Sequence, residues 1–403
     1  MSQNRNVRAL LTFSCLVLLP LQLLFAQPLD PVLAKGFDHF YNVEYEEALT
    51  SFRDAVRSSP EDAARRTALA QGILYYAMYR AGALESEFVT GNNPFLRRPK
   101  MEPTPAEQKE FDDAITKAIE ISQTRLNRDK NDIEALYNMG VALGLRGNYN
   151  FLVRKAWMDA LKDATAGRKL HNRLSEIKPD FIDARLLQGA HDYIVGSLPW
   201  HIKMLGFLAG IRGDKDSGIR TLKLVAEKGI RNKVDAEILL AVIYRREKRP
   251  REAIPLINNM LGRYPRNFLL LFELAQMHGD LGEYDAAIAA IDRVEKLKRS
   301  GAPGYRSMPM EKVYYARGNL QFWFNKLEPA IANLKLVTAK AADLDPTTGV
   351  YSWLRLGQSL DLAGKRSEAL QAYRQAISYA PESDAAKESR RYLSSAYRRE
   401  NKG

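Results

Sequence analysis

Residues that could support acid–base chemistry or bind a metal ion are gathered in the stretch 183–218, which reads DARLLQGAHDYIVGSLPWHIKMLGFLAGIRGDKDSG. His191 and Asp192 are adjacent, and His201 follows beyond Gly196 and Pro199. Imidazole and carboxylate groups can move protons or bind metals. The glycine and proline prevent the three side chains from sharing one helical face. We expect a His and an Asp satisfied by backbone groups, with a periplasmic enzyme or ligand-sensing subunit using 191–201 as the alternative.

Other catalytic patterns are missing from the sequence. It contains no Walker A loop, no GxSxG motif, no HExxH pair and no strand-anchored GxGxxG, and its five histidines are scattered. Cys15, the single cysteine, lies in a segment that we expect to be removed, which excludes disulfides and thiolate sites from the mature chain. The sequence therefore predicts no catalytic residue, no metal site and no cofactor, and a protein that is not an enzyme.

The first 26 residues have the layout of a secretory signal peptide. Arg5 and Arg8 precede an apolar run that extends, with an interruption at Pro20, to Ala26. We predict export to the periplasm, a mature chain that starts at Gln27, and no membrane span after cleavage. An uncleaved membrane anchor is the alternative, because the residues before Gln27 only half fit the preferred cleavage pattern.

A pair of amphipathic helices is predicted near the other end of the chain, in 353–381, which reads WLRLGQSLDLAGKRSEALQAYRQAISYAP. Large apolar residues recur three, four and seven positions apart, the period of one helical face. Small residues, Gly357, Ala369 and Ala376, fall where the two helices must approach closely. Pro381 ends the second helix, because proline lacks a backbone N–H group.

This stretch resembles a tetratricopeptide repeat, a helix-turn-helix unit of about 34 residues. Two further copies start one repeat period apart, at Glu237 and Leu271, others start at Val32 and Tyr314, and weaker ones start near Leu136 and Arg185. The resemblance implies an all-α fold: a right-handed superhelical solenoid of about seven such hairpins, which bury a continuous core only when stacked.

The predicted organisation has four parts. A signal peptide, 1–26, precedes N-terminal repeats in 27–182, in which an apolar helix over 63–81 is followed by a Pro-rich loop insertion, 85–105. The insertion is either a lid over a groove or a tolerated loop. A Gly- and Pro-punctuated helical segment, 183–232, shows a weak local resemblance to the tetratricopeptide-repeat 39 and inclusion-body-clearance proteins. The C-terminal array with its capping helix covers 233–403.

The charge balance and one mixed segment bear on the partner. The formal net charge of +12 favours an acidic partner or surface. Aromatic and basic residues are interleaved in 148–173, a pattern that can bind single-stranded nucleic acid. In an exported protein we expect instead that the aromatic rings pack inward and that the charges are solvated, so no nucleic-acid partner is predicted. Self-association is left open.

A tetratricopeptide array implies a concave groove lined by the first helix of each repeat. Transfer of the family's groove positions to the repeats of the C-terminal array favours a protein or peptide partner bound in that groove. Tyr315 replaces the Lys of the family's carboxylate clamp, which speaks against chaperone-tail binding. The predicted function is an exported protein-interaction scaffold, and the predicted groove residues are Arg245, Phe272, Gln276, Lys312, Tyr315, Asn319, Phe322 and Gln358.

Overall fold

The structure is a computed structural model that describes residues 30–84, 101–197 and 212–399, without the side chains of 346 and 347. The predicted signal peptide, most of the loop insertion 85–105, and His201 lie outside the described residues.

The described part of the chain is all-α, as predicted, with seventeen α-helices and no β-strand. A π-helical turn, Asn150–Arg154, and two short 3-10 turns, Ile182–Arg185 and Ala341–Asp343, join some of them. The helices are α1 (Pro31–Tyr41), α2 (Tyr45–Ser58), α3 (Ala63–Arg80), α4 (Pro105–Arg128), α5 (Ile133–Tyr149), α6 (Trp157–Ile177), α7 (Leu186–Gly196), α8 (Lys215–Lys228), α9 (Lys233–Arg246), α10 (Pro250–Arg263), α11 (Phe268–Asp280), α12 (Tyr284–Arg299), α13 (Met310–Trp323), α14 (Leu327–Thr338), α15 (Pro346–Leu362), α16 (Arg366–Tyr379) and α17 (Asp384–Ser394).

Consecutive helices pack as hairpins, and each hairpin stacks on the next. Eight pairs run from α1/α2 to α15/α16, and α17 covers the last pair. The sequence predicted about seven pairs. It did not predict that α3 pairs with α4, because residues 81–104 separate these helices along the chain. The segment predicted as atypical, 183–232, also forms a pair, α7 with α8.

Within the pairs, small residues on the first helix receive large side chains from the second. A Cβ atom added to Gly36 would lie 2.4 Å from the Phe52 ring, and one added to Gly357 would lie 2.5 Å from the Tyr373 ring. Gly318 approaches Leu334 in the same way, at 3.0 Å. In all three pairs the large residue follows the glycine by sixteen positions, so one contact recurs along the stack and sets the distance between the helices.

The turn inside each of five hairpins contains a residue in the left-handed region. Gly282 and Gly364 adopt φ values of 79° and 74°, which glycine reaches without strain. Val43, Lys248 and Asn325 take the corresponding place in α1/α2, α9/α10 and α13/α14, with φ values of 65°, 55° and 58°. The repeated turn geometry shows that these hairpins are copies of one structural unit, whether or not the turn keeps its glycine.

The N-terminal hairpin does not simply start the stack; it also contacts the turn between α10 and α11. The side-chain amide of Asn267 donates a 2.7 Å hydrogen bond to the backbone oxygen of Tyr41. The Arg266 guanidinium donates to the buried Glu44 carboxylate at 2.5 Å, and the rings of Tyr41 and Tyr264 lie 5.1 Å apart. One apolar core therefore extends from Leu33 in α1 to Leu320 in α13.

Candidate binding cavity inside the solenoid

A cavity of about 650 Å³ lies inside the solenoid, and we call it the inner cavity. On one side its wall comes from α1, α2 and α3 through Phe40, Tyr45 and Tyr75. On the other side it comes from α9, α11 and α13, the first helices of three successive hairpins. Because the N-terminal hairpin contacts the α10–α11 turn, the concave face is divided here and does not form an open trough.

The wall residues from the first helices follow the helical period. Ile238, Val242 and Arg245 on α9 are four and three positions apart, so one face of the helix borders the cavity. On α13, Lys312, Tyr315 and Asn319 are three and four positions apart, which again places them on one face of the helix. Phe272 and Gln276, four positions apart, represent α11. The stack thus presents three parallel rows of side chains to one space.

Both basic residues in the wall of the inner cavity form ion pairs within the protein. Arg245 donates to Glu273 at 2.6 Å, with only about a tenth of either side chain exposed. The Lys312 ammonium lies 3.1 Å from the Asp345 carboxylate. Burial raises the pKa of Asp345, but Lys312 and hydrogen bonds from Thr348 outweigh burial and lower the pKa below its ordinary value. The cavity wall therefore presents no uncompensated charge from these pairs.

Two acceptor oxygens in the wall lack hydrogen bonds. Glu273 Oε1 and Asn319 Oδ1 are both inaccessible to water and have no donor among the described residues. An unsatisfied buried acceptor costs about 1–3 kcal/mol. Both residues border the inner cavity, so a ligand that displaces the groups covering these oxygens and supplies N–H donors would recover this free energy.

Models of the tetratricopeptide repeat match the sequence in two places, residues 238–302 and 351–383. Those segments contain three of the predicted hairpins, the ones that start near Glu237, Leu271 and Trp353, and helices packed as consecutive pairs continue along the described chain. The chain contains tetratricopeptide repeats. No curated protein matches its sequence.

Solved structures of similar shape include other helical-repeat proteins. A chain from the crystal structure of the APC/C hetero-tetramer Cut9-Hcn1 aligns with a TM-score of 0.50 and 10% identity, over 90% of this chain and 55% of that chain. The protein thus spans about half the length of this neighbour, and the likeness shows a shared fold. Yeast Tom70 aligns with a TM-score of 0.39 and 15% identity, over 90% and 80% of the two chains. A tetratricopeptide repeat protein from Parabacteroides merdae aligns with a TM-score of 0.29 and 16% identity, over 76% and 91%.

Tetratricopeptide repeats on this fold indicate a protein-interaction scaffold and are typical of proteins without catalytic activity. No helix in the described ranges is long and apolar enough to cross a membrane. Across the same ranges, no three His, Cys, Asp or Glu side chains are grouped so that they could hold a metal ion.

Of the eight residues that the sequence assigned to the groove, the structure brings six together around the inner cavity. Phe322 and Gln358 lie elsewhere. Phe322 is fully buried beneath the C-terminal tail, 5.9 Å from the Tyr397 ring, and Gln358 is buried and donates to Glu388 at 2.9 Å. The six that line the cavity are Arg245, Phe272, Gln276, Lys312, Tyr315 and Asn319.

Several cavity residues were not predicted from the sequence. Trp323 and Phe324, at the end of α13, line the cavity where Phe322 was expected, and about half of the Trp323 surface is exposed. The aromatic residues of α1–α3 were missed because their approach to α11 depends on the whole course of the solenoid. The sequence does show aromatic residues near the turn between α1 and α2, but this pattern does not indicate which distant helix they contact.

The alternative site around 191–201 has a simple local structure. His191 Nδ1 lies 3.3 Å from the Asp192 carboxylate and 3.4 Å from the Arg168 guanidinium. Burial and the Arg168 charge lower the pKa of His191, although Asp192 opposes this change. The remaining member of the predicted set, His201, lies outside the described residues.

Proposed function

We propose that the protein is an exported interaction scaffold that binds a short segment of a partner protein in the inner cavity. The observation that carries the proposal is the pair of unsatisfied acceptors, Glu273 Oε1 and Asn319 Oδ1, in a wall otherwise rich in aromatic side chains. A peptide backbone provides N–H donors along its length, and its side chains provide apolar surface. Both needs of the cavity wall are met by one class of ligand.

The cavity volume limits the length of the bound segment. Pockets of roughly 300–1,000 Å³ hold small molecules or a few residues, and the inner cavity has about 650 Å³. A long helix would require the N-terminal hairpin to leave the α10–α11 turn. We therefore propose an extended segment of a few residues, with at least one aromatic or large aliphatic side chain beside Phe272 and Trp323.

The net charge of the protein contributes to partner binding outside the inner cavity. Because Arg245 and Lys312 are paired within the protein, acidic residues of a partner would gain little beside them. The net charge of +12 instead favours acidic residues in the parts of the partner that flank the bound segment. Export, which the layout of residues 1–26 supports, makes the partner a periplasmic or envelope protein.

Site-specific photo-crosslinking in the native cell envelope would identify the partner segment. A photoreactive amino acid at Trp323 should crosslink to a defined peptide, whereas the same group at Leu336, equally exposed on the second helix α14, should not. Crosslinks of equal yield and composition at both positions would contradict the proposal.

A synthetic peptide with the sequence of the crosslinked segment then tests whether the two unsatisfied acceptors contribute to binding. Asn319→Leu removes an unsatisfied buried acceptor, so the melting temperature should stay constant or rise. The same change should weaken peptide binding by about fivefold to tenfold, the value of one hydrogen bond. A variant that binds the peptide as tightly as the wild type would refute this use of Asn319.

A further inference from the structure

A second and larger cavity, of about 1,070 Å³, lies between the start of α1 and the start of α9, and we call it the polar cavity. Its remaining walls come from the beginning of α3 and from α5. Tyr41 lies between the two spaces: it lines the inner cavity, and its phenol is near Asp235 in the wall of the polar cavity. Neither the tetratricopeptide matches nor the proposed peptide site assigns a role to this space.

The arginines of the polar cavity are already bound to carboxylates. The Arg65 guanidinium lies 2.7 Å from Asp30, and the Arg231 guanidinium lies 2.7 Å from Glu134. Arg125 is held at 2.8 Å by Asp132, which lies outside the cavity wall. An anionic ligand would have to compete with these pairs, and it would also face the carboxylates that remain.

Asp235 is the carboxylate of this wall that lacks a cationic partner within the described residues. The titratable groups near it are Asp183 and the phenols of Tyr41, Tyr75, Tyr137 and Tyr264. Burial raises the pKa of Asp235 to about 6; the nearby Tyr41 hydroxyl opposes this change, and the negative charge of Asp183 assists it. At neutral pH the wall therefore contains a partly buried anion without a counter-ion from the described chain.

An unused amide borders the same space. Gln71 on α3 lines the polar cavity, and its side chain makes no hydrogen bond to the described residues. An amide of this kind supplies both an acceptor and a donor. Together with the Asp235 carboxylate it matches a group that is positively charged and carries several N–H donors.

We propose that the polar cavity binds a cationic nitrogen group, an ammonium or a guanidinium, with Asp235 as its counter-ion and Gln71 as an additional hydrogen-bond partner. The charge of the ligand compensates the partly buried carboxylate, and its N–H groups satisfy oxygen atoms of the wall. The cation belongs either to a free amine or to the side chain of a basic peptide. The site is separate from the inner cavity, so this proposal does not depend on peptide binding in the inner cavity.

Isothermal titration calorimetry on the full chain tests the proposal. The probes are agmatine, which represents a free amine, and acetyl-arginine amide, which represents a peptide side chain. Acetyl-citrulline amide is the uncharged counterpart of the second probe. At pH 8 we expect at least one cationic probe to bind, and to bind at least tenfold more tightly than the citrulline compound. A preference for agmatine identifies a free amine, and a preference for the arginine compound identifies a basic peptide.

Variants and pH locate the bound cation. Asp235→Asn should weaken binding at least tenfold at pH 8, and Gln71→Ala should weaken it severalfold. Glu61→Gln should bind like the wild type, because Glu61 borders the same cavity but is largely exposed and pairs with Lys117. Wild-type affinity should also fall as the pH is lowered from 7 to 5, since Asp235 is then protonated.

Three results would overturn the proposal: no binding of either cationic probe at millimolar concentration, equal binding of the citrulline compound, or undiminished binding to a folded Asp235→Asn protein. Far-UV circular dichroism shows whether that variant is folded. If it is not, the wild-type pH profile and Gln71→Ala still decide, because binding that is insensitive to both excludes this cavity.

Discussion

Asp235→Asn should stabilise the protein relative to the wild type by about 3 kcal/mol more at pH 8 than at pH 4. The wild-type carboxyl has a pKa of about 6 in the folded protein, against an ordinary value of 3.8. The difference is about two pKa units, and each unit corresponds to about 1.4 kcal/mol. The folded state holds this proton more tightly than the unfolded state does. The proton-linked stability is therefore complete below pH 4 and is lost as the pH rises to 6 and above.

Asparagine keeps the size of the side chain and an acceptor oxygen, but it carries no charge at any pH. Urea denaturation of the wild type and the variant between pH 4 and 8, followed by circular dichroism, gives the difference in the free energy of unfolding. The difference should increase between pH 4 and about 6.5 and then remain constant. Carboxylates with lowered pKa, such as Glu247 and Glu295, destabilise both proteins in acid and cancel in the difference.

A difference that does not change with pH would refute the reasoning, because Asp235 would then have the same proton affinity in the folded and unfolded states. A difference that changes in the opposite direction would mean that a cation from the protein compensates Asp235. Either result would also remove the electrostatic basis for a cationic ligand in the polar cavity.

Three further predictions concern the core, the closing contact and export. Ala369→Leu should lower the free energy of unfolding by about 1–3 kcal/mol, because it overpacks a fully buried position. The control Lys365→Ala, on the surface, should lower it by less than about 1 kcal/mol. Equal effects of the two changes in chemical denaturation would contradict the assigned repeat register. Arg266→Ala should lower the free energy of unfolding by about 1–3 kcal/mol, because it removes one partner of the buried Glu44 carboxylate. The same change should speed proteolysis of the N-terminal hairpin. Unchanged protease sensitivity would contradict a stabilising contact between Arg266 and Glu44. Amino-terminal sequencing of the envelope fraction should find a mature chain that begins at Gln27, and an intact cytoplasmic chain would disprove export.

Repeat units were predictable wherever their two helices are joined by a short turn. The hairpins that begin near Glu237 and Leu271 keep the repeat period, and the contact of Gly357 with Tyr373 follows from that register. The α3/α4 hairpin escaped prediction although its packing is equivalent. Its two helices are separated by residues 81–104, so their apolar positions do not recur at the repeat distance. A long connection weakens the periodic signal, and the α7/α8 pair, whose helices are separated by residues 197–214, accordingly gave only a weak copy near Arg185.

The candidate site was less predictable, for two physical reasons. Phe322 and Trp323 are neighbours on α13, and adjacent helical residues point about 100° apart. A register that is correct over most of the helix therefore does not decide which ring faces the cavity. That choice depends on Tyr397 and Arg399, which cover Phe322 from the distant C-terminal tail. The return of α1 to the α10–α11 turn is likewise a contact between parts of the chain that share no local pattern.

The bond between Arg266 and Glu44 has a consequence for how this protein can change during evolution. Solenoids commonly gain or lose units by duplication or deletion, because each unit contacts only its neighbours and the ends are free. Here α2 and then four whole hairpins, α3/α4, α5/α6, α7/α8 and α9/α10, lie between the two partners of that bond. One hairpin more or fewer would carry Arg266 a full repeat away from Glu44. Within this segment the number of units is fixed by closure, as the number of strands is fixed in a closed barrel, whereas the array beyond α13 can lengthen without breaking it.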